Sequence, residues 1–600
     1  MKTATARTAL YAAITLGFAA PATAGDDTRL GPVEVTANRI ELPVDQALAS
    51  VTVLTREDIE RSQAPDLLDL LSRQAGIDVA RTGGAGQAST LFMRGSNSGH
   101  ALVLVDGIRV NAATQGVFDL AHLPLAQLER IEIVRGPRAA LWGSDAIGGV
   151  IQLFTRDPSR AFFQAEAGSY GRAGASAGGG GGHGDTRFGL AAGFNELRGF
   201  SATNPAAYGH DPDTDGYRNR NLSVHAQAPA GKQVLSFSGL LTSADVEFDQ
   251  GRTSALNRVF GIAARGEIGS SWTHSLVAGH SSEDLDTPAY LSRFGSERDS
   301  LDWTNTIRLG RDDIVNVGAN WSRESGYSLE AGEGFRRSRR NAALFGSWRH
   351  HAGAQLLEAS VRHDDNSQFH GATTANLAWG WQAGAALRLR ASVGQGFRAP
   401  DFNELFYPGF FGLFAGNPAL RPERSRSAEL GMDWRIDARQ SLGLSLYRTR
   451  IDQLIAFQGV DFQAVNIARA RVSGAELEYL LDREGLRLEA NASWQDARDS
   501  VSGDRLLRRA PRKFNLSASH SFANQAVLGA DWSAVAARPD FAGDRLSGYG
   551  RLDLRVSAPL APQWLIEARV ENLGDRDYEL VHGYNTPGRS LVLNLRWDES

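Results

Sequence analysis

The 600-residue chain contains no cysteine. That excludes a disulfide scaffold, a thiolate metal centre and a cysteine nucleophile. It also lacks a basic excess: 63 Lys and Arg against 68 Asp and Glu leave a net charge of -5. Nothing in that balance marks a nucleic-acid partner, and none is expected. No stretch after the N-terminus approaches the ~18–20 apolar residues that a membrane helix needs. A mean hydropathy of -0.28 excludes a polytopic helical membrane protein. It does not exclude a membrane β-barrel, whose alternating strands average out polar. The H-E-x-x-H signature of a zinc hydrolase is absent, and the chain is expected not to be an enzyme.

Several patterns are present. Lys2 and Arg7 precede an apolar run, Ala9 to Ala20, which ends at Ala22-Thr23-Ala24. This order of charge, apolar run and small residues predicts a signal peptide over 1–24. Residues 25–45 read as a flexible N-terminal segment. Residues 46–157 read as a compact α/β unit. Within it, Thr55 and Asp58 are placed to cap a helix, and Asp66 to Leu71 carries apolar residues at helical spacing. Ala101 to Val105 reads as a buried strand, and Leu128 to Arg135 and Gly148 to Phe154 as two more.

From 158 to 600 the pattern changes to short runs of period two. Phe188, Leu190, Ala192 and Phe194 share one parity, as do Leu591, Leu593, Leu595 and Trp597. Such runs describe sheet that is apolar on one face and polar on the other. Many of them in an exported chain predict an all-β membrane barrel of about 22 antiparallel strands, which leaves no unpaired edge in lipid. A lumen that wide has room for the N-terminal α/β unit as a plug domain. The expected location is the outer membrane, as a monomer in contact with its lipid.

Asp211, Asp213 and Asp215 stand at alternate positions before Gly216, with Asp249 and Asn257 on what reads as the next loop. Carboxylates so spaced offer several of the 6–8 oxygens that calcium takes. The spacing is also that of an ordinary solvated Asp-rich turn.

In order along the chain, several phrases resemble TonB-dependent outer-membrane receptors. They are Gly31-Pro32-Val33-Glu34-Val35-Thr36-Ala37-Asn38, Val103 to Gly107, Ile131 to Pro137, Gly396 to Pro400, Gly416 to Glu423 and Gly474 to Glu478. Within that family the closest similarity is to the cobalamin (vitamin B12) receptors. It is carried by Thr82 to Gln87, Arg94 to His100, Asp364 to Phe369, Leu506 to Pro511 and Tyr584 to Arg589. The resemblance implies that Gly31 to Asn38 is the TonB box, an extended segment that adds to the partner TonB as a strand. It implies cobalamin, or a related corrinoid, as cargo. The implied contacts are Ala88, Thr90, Asn97, Gln115 and Gly116 on plug loops, and Arg508 or Arg509, the latter preferred, is expected to reach in from a barrel loop. It also implies calcium as a loop-ordering ion at Asp213, Asp215 and Asp249, although Asp211 stands where a Gln is expected and Ser201 where an acid is.

The alternative cargo is a ferric siderophore, for which Phe406, Tyr407, Phe410, Phe411 and Phe414 offer an aromatic cluster. Haem is excluded because Asp401 to Gly416 contains no His to serve as axial ligand. Arg94, Arg135 and Arg138 are expected to pair with Glu129 and Glu132 where plug meets barrel.

Overall fold

The computed structural model describes residues 34–35, 39, 42–207, 209–410 and 412–599. The signal peptide lies outside the described residues. So do Gly31, Pro32, Val33, Thr36, Ala37 and Asn38 of the expected TonB box, and Phe411.

Twenty-two strands, from Phe162–Gly168 to Ser590–Asp598, pair antiparallel with their sequence neighbours around a closed barrel. The seam closes with Ala165 opposite Leu595. Alternation explains why these sequences form a wall in lipid. On Thr186–Phe200, Phe188, Leu190 and Phe194 are exposed, whereas Ala191 is fully buried. On Glu423–Arg435, Glu423, Ser425 and Glu429 are buried toward the lumen while Leu430 is exposed. The apolar parity therefore faces lipid and the polar parity faces the plug.

The two rims differ. At one, adjacent strands are joined by tight turns such as 184–185, 231–232 and 484–485. At the other the connections include 201–214, 399–422 and 572–589. Short turns mark the periplasmic rim and long loops the outer surface. Trp272, Trp348, Trp381, Trp434, Trp564 and Trp597 all lie near strand ends on the short-turn side. They form the aromatic girdle there, with rings at headgroup level.

Inside sits a five-stranded sheet in the order Ser50–Leu54, Leu128–Arg135, Gly149–Thr155, Ala101–Val105, Ile108–Arg109. Ala101–Val105 runs parallel to Gly149–Thr155 and the other pairs are antiparallel. Helix Arg56–Ser62 starts at the Thr55 and Asp58 capping box, each side chain accepting from the other's backbone N–H. Helix Leu67–Ser72 is capped by Asp66. It buries Leu67, Leu68, Leu70 and Leu71 against Ile77, Leu128, Ile131 and Leu153. At about 1.5–3 kcal/mol for each fully buried Leu or Ile, this core is what holds the plug as a folded unit.

Candidate functional site

Three plug loops rise to the outer rim. The first, 82–88, joins the antiparallel strands Ile77–Arg81 and Ser89–Met93. Gly86 has a φ of +78° and lies so close to the Tyr217 ring that a Cβ there would stand 2.1 Å from it. Only glycine meets both demands. Gln87 donates to the Glu247 carbonyl oxygen, fixing the loop to the wall. Ala88 is exposed at the tip and Thr90 is half-buried.

The second loop carries Asn97. Its Nδ2 donates to the Ile455 carbonyl at 3.2 Å. Its Oδ1 accepts from Arg509 Nη2 at 2.6 Å. Arg509 also donates to the Gly95 and Ser96 carbonyls, and its guanidinium lies 4.0 Å from the Phe92 ring centre. Burial pushes its pKa down to about 10. The structure thus joins two of the expected cargo contacts, Asn97 and Arg509, in one hydrogen-bonded unit.

The third loop carries Gln115 and Gly116. The long connection 399–422 folds down onto it, with Phe402 and Asn403 donating backbone bonds to the Ala113 and Thr114 carbonyls, both 2.9 Å. Asp401 caps helix Phe402–Phe406 and stands over Gly116, where a Cβ would meet its Oδ2 at 3.0 Å. Gln115 is half-buried and Gly116 buried.

Above these loops runs a chain of ring contacts. Phe248 meets Tyr290, which meets Phe410; Phe414 meets Phe457 and Phe462, which meets Phe541. The aromatic residues of 399–422 therefore bridge several outer loops. Phe406 instead packs with Phe335 and Phe402.

The acidic loop adjoins the first plug loop. Asp249 Oδ2 accepts from the Thr203 hydroxyl and from the Asp211 N–H, while its Oδ1 is buried with no hydrogen-bond partner. Asp215 Oδ2 accepts from the Ala202 N–H at 2.6 Å. The Asp213 carboxyl is held above the usual range by desolvation, and then by Asp211, Asp249 and Glu247. Ser201 donates to the Asp211 and Thr203 carbonyls rather than offering a ligand. The acidic loop thus gathers mutually repelling carboxylates and one orphaned carboxylate oxygen, a charge cluster that a cation would neutralise. Yet among the described residues no three acidic or histidine side chains converge on one point.

Asn257 is a correction. It lies within the wall strand Gly251–Gly269, not on a loop, and is buried beside Thr242. It lies eight positions along the chain from Asp249, roughly 26 Å at about 3.3 Å each, so it does not belong to the acidic cluster. Period-two patterning ran on past the point where a loop was expected.

The ion pairs across the plug boundary also differ from expectation. Arg94 reaches Glu429 at 2.7 Å and Glu476 at 2.8 Å, and Arg135 reaches Glu478 at 3.0 Å. The acids come from the wall. Glu132 instead meets Arg130 within the plug, and Glu129 is exposed. Glu476 and Glu478 stand in the Gly474 to Glu478 phrase, which was the available signal.

At the periplasmic side, Glu34–Val35 pairs with Leu42–Pro43. Between them Arg39, at φ +58°, enters the lumen. Its guanidinium lies 4.4 Å from the Trp142 ring centre on the plug and 4.7 Å from that of Phe345 on the wall, and Nη1 bonds Asp302 at 2.8 Å. Arg39, Trp142 and Asp302 border a polar cavity of about 740 Å³ between plug and wall. Nothing in the sequence singled out Arg39 beyond its place after Asn38.

Arg39 therefore links the N-terminal segment to plug and wall together. Two cation–π contacts and a partly buried ion pair are worth about 2 kcal/mol in sum. Arg39→Ala is expected to raise the released population of the segment roughly 30-fold. Because the chain has no cysteine, Thr36→Cys gives a unique thiol whose alkylation rate reads that release. An unchanged rate in the double variant would remove the latch role from Arg39.

The residues 43–150 match the family model of the TonB-dependent receptor plug domain. Residues 154–573 match that of the TonB dependent receptor-like β-barrel. The chain belongs to the TonB-dependent receptors, transport proteins of the outer membrane that work with TonB. Solved structures with the same fold include the siderophore receptor PirA of Acinetobacter baumannii, 18% identical, with a TM-score of 0.78 over 93% of this chain and 99% of that one. The ferric enterobactin receptor PfeA of Pseudomonas aeruginosa is 18% identical, with a TM-score of 0.79 over 94% and 100%. The copper transporter OprC is 16% identical, with a TM-score of 0.79 over 92% and 100%.

Proposed function

We propose that this receptor imports a bulky, uncharged metal chelate of the corrinoid class, cobalamin or a relative, in a TonB-driven step. The observation that carries the reading is the chemistry of the outward plug loops. Residues 82–90, 95–99 and 112–117 contain no charged side chain. They offer the Gln115 amide, the Thr90 hydroxyl and the second amide hydrogen of Asn97, whose other polar contacts go to Ile455 and Arg509. A corrin with amide arms needs such donors and acceptors. A multiply anionic chelate would meet no cation carried by these loops themselves, with only Arg509 reaching the second from the barrel, and would face Asp211, Asp213 and Asp249 beside them.

Calcium, held by Asp211, Asp213, Asp215 and Asp249, would neutralise that cluster. It would stiffen the segment against which loop 82–88 rests. The second reading is a ferric siderophore. It is favoured by the shared fold of the siderophore receptor PirA and the ferric enterobactin receptor PfeA and by the aromatic bridge of 399–422.

Calorimetry on the full chain in detergent separates them, with cyanocobalamin and ferric enterobactin titrated with and without a calcium chelator. Cyanocobalamin binding that weakens about tenfold or more on chelation is expected, as loop ordering typically couples by 1–3 kcal/mol. Binding of ferric enterobactin alone moves the assignment to the siderophore class. Cyanocobalamin binding indifferent to chelation leaves the cargo and removes the ion.

A further inference from the structure

The outer wall carries a second, unassigned charge pattern. On three consecutive strands, Glu423–Arg435, Gln440–Gln458 and Gln463–Arg483, the outward parity near the outer rim is almost all arginine. Arg426 lies directly opposite Arg450, Arg450 opposite Arg471, and Arg471 opposite Arg498 on Leu486–Asp499. Arg424, Arg448 and Arg469 flank this row, and all six on the three strands are exposed.

Like charges directly opposite on one sheet face are destabilising. Local acids offset them only in part. Asp452 serves Arg450 and Arg469, and Asp496 serves Arg498 and Arg505. Among the described residues Arg426, Arg448 and Arg471 have no carboxylate within ion-pair distance. The opposite side of the wall is different. There Arg218, Arg258 and Arg293 are matched by Glu196, Asp284 and Asp286.

The row also borders a groove of about 750 Å³. Arg426, Arg448, Arg450, Arg469 and Arg471 form one side, and Leu377 and Val393 line the other. Leu377, Val393, Leu430 and Leu446 belong to the exposed apolar band below. The site thus meets hydrocarbon on one side and concentrated positive charge on the other, at the level where outer-leaflet lipid heads lie. Guanidinium forks match phosphate oxygens bidentately. Basic clusters beside a membrane-spanning surface recognise anionic lipid heads.

We propose that this groove binds the phosphorylated sugar head of an outer-leaflet glycolipid of the lipid A type, with acyl chains along Leu377 and Val393 and phosphates on the Arg426–Arg450–Arg471 row. The site is separate from the cargo path, because every one of these side chains points away from the lumen.

The test uses the full chain in neutral detergent, with binding of hexa-acylated bisphosphoryl lipid A read by native mass spectrometry. Arg426→Gln/Arg448→Gln/Arg471→Gln is expected to weaken it on the order of a hundredfold, at about one decade or less per arginine. A control triple, Arg218→Gln/Arg258→Gln/Arg293→Gln, is expected to leave binding unchanged. An unaltered heat-modifiable mobility of each variant reports an intact barrel. Dephosphorylated lipid A bound as well as the bisphosphate would overturn the proposal. So would equal weakening by the control triple, or no weakening by the first. Displacement of lipid A by equimolar inorganic phosphate would reassign the groove to a free anion and overturn the lipid as its occupant.

Discussion

Val35→Pro is expected to bring energised uptake down roughly a hundredfold while cargo affinity stays within about twofold. The change removes one backbone N–H and the hydrogen bonds that depend on an extended register, at about 1 kcal/mol each. Strand addition to TonB rests on those main-chain bonds. In the structure Val35 already sits opposite Leu42 in a two-residue ladder. So short a pairing is weak, and a partner's sheet edge is expected to displace it. The proposed cargo contacts lie at the other rim and are untouched by the change. Uptake of labelled cargo by whole cells against binding to the purified chain separates the two effects. Normal uptake would show that the segment carrying Val35 is not where TonB engages.

Arg94→Ala is expected to loosen the plug by 3–5 kcal/mol, the usual cost of removing one partner from a buried ion pair. Arg94 bonds Glu476 through Nε and Nη2 and Glu429 through Nη1, and its guanidinium is 4.4 Å from the Tyr447 ring centre. Without it two buried wall carboxylates lose their principal cation. Arg390 and Arg135 remain on Glu429 and Glu476 and offset part of the loss. Hydrogen exchange should show faster opening of Ala101–Val105 and Gly149–Thr155 by a factor of about 10² or more, with wall strands unchanged. Arg94→Met combined with Glu476→Gln should recover much of the difference, since a neutral pair leaves fewer stranded charges. Exchange confined to the variant's own loop would assign Arg94 a local role only.

The wall was legible because alternation is a local signal. Phe188 to Phe194 and Leu591 to Trp597 declare which face meets lipid without reference to anything distant. The plug helices were legible for the same reason, since Thr55 with Asp58, and Asp66, act within four residues. What stayed hidden depends on closure of the barrel. Arg39 meets Asp302 and Phe345 across hundreds of residues, and Arg94 meets Glu429 and Glu476 likewise. Glu129 and Glu132 were the nearer acids in sequence, and nearness in sequence misled. Asn257 was misplaced because strands here continue well beyond the bilayer, so a polar residue near a presumed loop can still be wall. Asn97 and Arg509 were named separately by likeness; only the folded chain shows that one holds the other.

The order of the plug sheet has a mechanical consequence. Force applied through the N-terminal segment passes Arg39 and arrives first at Ser50–Leu54, which is an edge strand with a single neighbour, Leu128–Arg135. Peeling an edge breaks its ladder a pair at a time and leaves the remaining four strands intact. Paying out residues 40–54 in extended form supplies roughly 50 Å of contour length at ~3.4 Å per residue. At the centre of the sheet, Gly149–Thr155 runs within a few residues into the wall strand Phe162–Gly168. The pulled domain is therefore leashed: it can unravel progressively from one end, but it cannot be drawn free of the barrel, and slackening the line lets the same strand zip back onto the edge it left.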